Sequence, residues 1–518
     1  MRTFSRRTSF LALALTGAAV GTAIAGGASL RTGPSSSESP FLLPSTLGVE
    51  VTSILTVGDS VNDKPDGTPY RMVGLPDGLG AFEDDDDCGR DTFTVLMNHE
   101  LRNTAGVVRA HGAKGSFVSK WIVDKRTLRV VRGEDLIERI WQPTATGWDA
   151  SVPLALNRLC SADLPERGAF YDRRSKKGYK GRLFMNGEES GIEGSGFAHA
   201  TTGDSYRLPW LGRFSWENAL AHPDTGTKTV VVGTDDGTGG QVYVYVGTKQ
   251  KTGNPVEKAG LTNGVLYGIK VVGYPAEIVA TGIPDGTAFT AHAFGDVSTW
   301  TGATLEAQSV ANAVTSFQRP EDGAWDPENP NDFYFVTTAG FTGASRLWRL
   351  RFVDPANPVA GGRIDLLLDG ADPTGPKMMD NICVSTSGQV LIQEDPGNQA
   401  TYLAKVWRYD LGSGVLVEVA AHDPARFSPS SPGYLTGDEE SSGIIDVSDI
   451  LGEGRFLAVS QAHYAIGDTE LVENGQLMVL CVPETRRCHG HGHGRRDRDR
   501  DRDDDRDDDD RGGRRDRD

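Results

Sequence analysis

Cysteine is scarce in this chain: five in 518 residues, at Cys88, Cys160, Cys383, Cys481 and Cys488. An odd, dispersed set in a large protein excludes a disulfide-built scaffold. Cys481 and Cys488 could pair, Cys383 reads as a core strand residue, and Cys160 is left as a candidate free thiolate. Basic charge is also short, with 53 Lys and Arg against 71 Asp and Glu for a net charge of −18. That excludes nucleic acid as the main partner, because phosphate backbones need a basic face. An acidic protein that handles phosphate needs cations to mediate the contact. The apolar run from Phe10 to Ala25 is too short for a comfortable membrane span, so no stable membrane anchor is expected. There is no Gly-x-Ser-x-Gly elbow, no P-loop and no Cys-x-x-Cys pair, which removes support for serine hydrolase, nucleotide phosphoryl transfer and zinc-finger readings. Helical periodicity is weak throughout, and only residues 128–140 could form a short helix.

What is present is glycine, 64 residues of it, with 38% apolar content. Those proportions suit a loop-rich globular β protein. The ends read differently. Arg2, Arg6 and Arg7 precede the apolar run, and Ala23-Ile24-Ala25 matches a small-x-small cleavage site, so residues 1–25 read as an export signal. The Arg6-Arg7 pair after Ser5 gives it a twin-arginine character, although Phe10-Leu11 comes one place late. Export by twin-arginine or general export machinery, to the periplasm or the outside, is expected. Residues 26–45 read as a flexible leader, rich in Gly, Ser and Pro at its start. Residues 46–487 form the folded domain. Residues 488–518, a His-Gly run followed by alternating Arg and Asp, offer nothing apolar to bury and are expected to be disordered.

Within the domain a unit recurs. A short apolar strand ends in polar or acidic residues, and a partner strand carrying an aromatic follows in most units. The first strands are Thr94–Met97, Leu183–Met185, Val230–Val232, Phe333–Val336, Val390–Ile392 and Phe456–Val459. Repeated short strands of this kind are the signature of an all-β, six-bladed β-propeller with loop insertions. The alternative is a β-sandwich, in which the acidic residues would merely end strands. In a propeller, strand ends converge on one mouth. That would gather Asn98, Glu100, Glu188, Glu189, Asp235, Asp236, Glu394 and Asp395 about one axis.

Clustered carboxylates stay ionised together only with cations among them, and hard oxygen ligands suit calcium. Cys160 adds a soft ligand that selects a transition metal, and carboxylates with one thiolate fit iron. The bland reading of a lone cysteine is a small buried hydrophobe. Arg319-Pro320-Glu321-Asp322-Gly323 is read as a Pro/Gly turn that aims a carboxylate, with Arg319 either its partner or an anion clamp. Glu217, Glu440 and His463 sit in similar polar ends. Calcium-only propellers have no use for a thiolate, so Cys160 discriminates a metal enzyme from a calcium-stabilised binding module or a phytase- or lactonase-like hydrolase.

The chain resembles the PhoX-type alkaline phosphatase family. The resemblance rests on Leu75 to Gly80, Val95 to Glu100, Asn157 to Cys160, Asn186 to Glu189, Gly212-Arg213-Phe214 with Glu217, Asp235-Asp236, Arg319 to Gly323, and Glu440 to Gly443. It implies a six-bladed propeller with a central site of iron and calcium that hydrolyses small-molecule phosphate monoesters. It further implies Cys160 as the iron-ligating thiolate and Glu188, Glu189, Glu217, Glu321, Glu440 and Asp236 as metal ligands. Arg319 and Asn98 become the candidate catalytic residues, with Arg319 on the phosphate oxygens. Family members often carry His where Trp216 stands. The cysteine loop here lacks a Thr-Pro-Trp-Gly stretch, and a basic insertion spans Asp172 to Lys180.

Overall fold

The computed structural model describes residues 29–83 and 91–483. The expected export signal, the His-Gly and Arg/Asp tail, Cys88, Cys488 and the run Asp84 to Asp87 lie outside the described residues.

The chain forms six four-stranded antiparallel blades around an axis, some extended by extra strands. Their innermost strands are Pro76–Glu83, Leu159–Asp163, Trp216–Ala221, Pro320–Trp325, Met379–Val384 and Glu439–Asp446. Each packs against the next, and the sixth packs against the first, so the ring closes. Blades three and four share one nine-stranded sheet, because Thr287–Gly295 pairs with Gly362–Asp369 across their outer edges. Closure of the circle is built from the N-terminal side: Glu50–Thr56 pairs antiparallel with Asn474–Cys481 and completes blade six. A propeller closed by both ends of the chain leaves only short protected edges.

The six apolar strands picked out as the first of each unit are the second strands of the blades. The reason is burial. Second strands are covered on both faces and read as apolar runs. Thr92–His99, for example, sends Phe93, Val95 and Met97 toward blade six and Leu96 toward blade two. The innermost strands are interrupted by polar residues, and three of them contain glycine, so they do not stand out as apolar runs. Pro320–Trp325, read as a turn, is the innermost strand of blade four.

Two other expectations are corrected. The segment read as a flexible leader is built into the fold from residue 29 onward. Ser29–Thr32 runs parallel to Glu50–Thr56, and Leu42–Pro44 adds a strand to blade five, with Phe41 and Leu42 fully buried. Two buried apolar side chains outweigh the local Gly and Ser composition, at about 1.5–3 kcal/mol each. The stretch 128–140, expected as a short helix, instead contributes the outer strand Val130–Asp135. Among the described residues, no helix is long and apolar enough to cross a membrane.

Candidate metal centre

At the mouth, each blade contributes the second residue of its innermost strand: Asp77, Cys160, Glu217, Glu321, Asp380 and Glu440. Five carboxyls and one thiol therefore occupy equivalent positions around the axis, all buried. The backbone explains how they point inward. In five blades the ladder register shifts between the first residue of the innermost strand and the fourth, a bulge that frees the second residue from the alternation of the sheet. In four blades the residue just before the strand has a positive φ: Leu75 at 53°, Arg158 at 50°, Arg319 at 61° and Met378 at 47°. None is a glycine, so each holds a sparsely populated conformation that the surrounding structure must enforce.

Among the described residues, three groups of side chains each bring their ligating atoms within 4.8 Å of one another: Asp77 with Glu100 and Cys160, Cys160 with Glu189 and Glu217, and Glu217 with Glu321 and Asp380. They form a chain, because Cys160 belongs to the first two and Glu217 to the last two. Cys160 Sγ lies 3.4 Å from Asp77 Oδ2, and Gln461 Nε2 donates to Asp77 and Glu100 at 3.2 Å each. Asp77 Oδ1 is buried with no hydrogen-bond partner among the described residues. An orphaned carboxylate oxygen beside a thiol and further carboxylates fits a site that takes up cations.

The electrostatics agree. Burial pushes the carboxyls of Asp77, Glu189, Glu321 and Asp380 well above the usual range, with neighbouring carboxylates adding to the shift. Burial pushes Glu217 up to about 8 and raises the Cys160 thiol, which Asp77 and Glu217 raise further. Glu440 is the exception. Burial raises it, but the hydrogen bond and charge of His463 outweigh that and hold it below the ordinary value. His463 bridges Glu440 at 3.2 Å and Glu473 at 2.9 Å.

Two arginines stand at the same position of blades two and four. Arg158 donates to Glu100 at 2.7 Å and to Glu189 at 2.8 Å. Arg319 makes a two-bond pair with Asp236 at 2.7 and 2.8 Å and reaches Glu321 at 3.0 Å. Both arginine side chains remain partly exposed, at 34% and 35%. Below the ring, the third residues of the innermost strands form a polar belt. Asn381 donates to Ser161 at 2.6 Å, Ser161 bonds Glu217, and Asn218 donates to Asp322 at 2.6 Å.

Of the residues singled out from sequence, Cys160, Glu189, Glu217, Glu321 and Glu440 stand at the mouth, with Arg319 and Asp236 beside them. Glu188 does not join them: its carboxyl accepts the Asn157 amide at 3.1 Å and faces Arg207. Asn98 is fully buried, donates to the Cys160 carbonyl at 2.6 Å and accepts from Asn186 at 2.9 Å, so it positions the cysteine strand. Glu394 is occupied by the Lys377 and Lys405 amides and the Trp407 indole. Asp77, Asp380 and Arg158 were not picked out as site residues. Their signal was in the chain: Leu75-Pro76-Asp77, Arg158-Leu159-Cys160 and Met378-Met379-Asp380 share the layout of Arg319-Pro320-Glu321.

Two of the departures from the family pattern turn away from the mouth, while the altered cysteine loop carries Cys160 itself. Trp216 is buried and stacks on Phe214 with ring centroids 4.0 Å apart. The basic insertion forms a hairpin of Tyr171–Asp172 with Lys177–Gly178, after the Leu159–Asp163 strand has left the mouth.

Residues 198–425 match the family described as alkaline phosphatase PhoX. No curated protein matches the sequence. The fold is similar to that of Pseudomonas fluorescens PhoX in complex with vanadate, a transition state analogue, with a TM-score of 0.61 and 12% identity over 85% of this chain and 96% of that one. An α-L-arabinofuranosidase from Fusarium graminearum (TM-score 0.39, 10% identity, 82% and 96% covered) and a regucalcin from Agrobacterium tumefaciens described as a calcium-binding protein (TM-score 0.32, 14% identity, 82% and 95% covered) are more distant likenesses.

Proposed function

We propose, from the match of residues 198–425 to the family described as alkaline phosphatase PhoX, that the protein is an exported phosphomonoesterase whose centre is the ring of second residues at the propeller mouth, loaded with iron and calcium. The observation that carries the assignment is the chain of three ligand groups joined through Cys160 and Glu217. A calcium-only site of hard oxygens would have no use for the thiol at its junction. Cys160, Glu189 and Glu217 would hold iron, and Asp77, Glu100, Glu321 and Asp380 would complete the set with calcium. Bound cations supply Lewis-acid polarisation of the phosphoryl oxygens and neutralise charge in the transition state.

The chain's own residues do the rest. Asp236 fixes the Arg319 guanidinium through two hydrogen bonds, leaving part of its donor fork open at the mouth. Arg319 there would bind equatorial phosphoryl oxygens, as a planar fork suits a phosphate. Arg158, fixed by Glu100 and Glu189, would face the phosphate from the blade-two side. Asn98 and Gln461 orient the ligands, and His463 holds Glu440 ionised. The polar belt of Ser161, Asn218, Asp322 and Asn381 closes the channel beneath.

Cys160→Ala tests the assignment. Expected are loss of iron by elemental analysis, a fall of at least about 100-fold in hydrolysis of an aryl phosphomonoester, and an unchanged far-ultraviolet circular dichroism spectrum. Retained iron and activity would overturn the role of the thiol.

A further inference from the structure

Next to the centre lies a cavity of about 290 Å³, one of whose walls is Asp236, the partner of Arg319. Its walls are Arg213, Asp235, Asp236, the glycine-rich stretch 237–240, and Glu306 from the helix Gly302–Ala311, over a floor of Phe214 and Tyr243. The cavity is held open by its frame. Thr238 bridges to Gln318, the Phe317 amide donates to the Gly240 carbonyl at 2.8 Å, and the Tyr243 hydroxyl ties Gln241 to Ser309 of the helix. A preformed pocket that shares a wall with a phosphoryl site is placed to receive the other half of the ester.

Its chemistry narrows the occupant. The Arg213 Nε is buried and has no hydrogen-bond partner among the described residues, and its Nη1 reaches only the half-exposed Glu193, at 3.5 Å. Asp235, whose Oδ1 accepts the Ser215 amide at 3.1 Å, and Glu306 line the same cavity and offer carboxyl oxygens. Carboxyls facing a guanidinium suit a ligand with several hydroxyls, each able to donate and accept. They do not suit a second phosphate, which would meet Asp235, Asp236 and Glu306 together. The volume holds about ten waters, room for one sugar ring but not for a base and a ribose. Phe214 and Tyr243 are buried at the floor, so no aromatic face stands open for a base to stack on.

We propose that this cavity is the subsite for the alcohol half of the substrate and that it takes a polyhydroxylated alcohol about the size of one hexose, which rests on the phosphomonoesterase reading above. The test is the ratio of kcat/KM for a hexose 6-phosphate to that for phenyl phosphate, measured on the metal-loaded full chain and on Glu306→Ala and Thr238→Trp. The first variant removes a hydroxyl acceptor and the second fills the cavity. The ratio is expected to fall at least about tenfold in each, the effect of losing a hydrogen bond to a charged group or the space for the ring. A ratio within about twofold of wild type in both variants would overturn the subsite. If neither ester is hydrolysed, the phosphomonoesterase reading fails, and the subsite is then decided by calorimetric titration of the free hexose. Binding that weakens in both variants supports it, and equal or absent binding overturns it.

Discussion

Arg319 shows how much of this site is decided within single residues. Its backbone is held at φ 61°, its side chain is pinned by two bonds to Asp236, and its neighbour but one is Glu321. Lysine at this position would keep the charge but could not make the two-bond pair and still present donors outward. Arg319→Lys is therefore expected to lower kcat/KM for an aryl phosphomonoester by about 100-fold, with iron and calcium content unchanged. Loss of both metals in that variant would instead make the arginine part of the scaffold. The same residue marks what the sequence discloses. Arg, Pro, Glu and Asp in a row announce unusual backbone and charge together, whereas Met378-Met379-Asp380 builds the same geometry from residues that look like ordinary core. Glu188 and Glu189 illustrate the converse. Glu188 closes the strand Leu183–Glu188 and Glu189 follows it, and only the folded sheet decides that Glu189 faces the mouth.

At the level of elements, the innermost strand is the functional unit. Five of the six begin with a bulge, and each presents its second residue to the axis and packs its third beside the neighbouring strand. Those third residues are Gly78, Ser161, Asn218, Asp322, Asn381 and Ser441. Gly78 is the one without a side chain because a Cβ there would lie 2.4 Å from the Ala162 amide nitrogen and 2.5 Å from the Ser161 carbonyl carbon. Backbone atoms cannot give way as a flexible side chain can. Gly78→Ala is expected to destabilise the protein by about 3 kcal/mol and to reduce metal uptake by moving Asp77 and Cys160 apart. Urea unfolding and metal analysis read the two effects, and a change under about 0.5 kcal/mol would contradict the close packing of blades one and two. The polar composition that makes these strands functional also hid them. Apolar runs pointed to the second strands, and the innermost ones became visible only through the residues that follow those runs.

At the scale of the whole molecule, the circle of blades concentrates carboxyls from every part of a net-negative chain into one buried mouth. Without cations they hold protons. Glu217 is pushed up to about 8, and Asp77, Glu189, Glu321 and Asp380 are raised as well. In the unfolded chain such groups ionise near about pH 4. Between about pH 4 and about pH 8 the metal-free native state thus carries more protons than the unfolded state, and rising pH favours unfolding. This contribution is full below about pH 4 and is lost as the pH passes through about 8. Glu440, shifted down, loses its contribution only on the acid side, and His463, raised to about 11, only on the alkaline side. The thermal midpoint of chelated protein is therefore expected to fall between about pH 5 and about pH 8, and to fall less with calcium present, because cations replace the protons. Equal slopes with and without calcium would separate the ring from cation binding. The six-bladed circle was legible from its repeats. The entry of residues 29–45 into blades five and six was not, since burial of Phe41 and Leu42 depends on strands more than 370 residues away in sequence.

The most direct test of the proposed metal phosphatase centre is hydrolysis of an aryl phosphomonoester by the chain loaded with iron and calcium, before chelation, after chelation, and after calcium is returned. Release of phosphate that chelation abolishes and calcium restores is the expected result. Hydrolysis indifferent to chelation, or none from protein shown to hold both metals, would contradict the account.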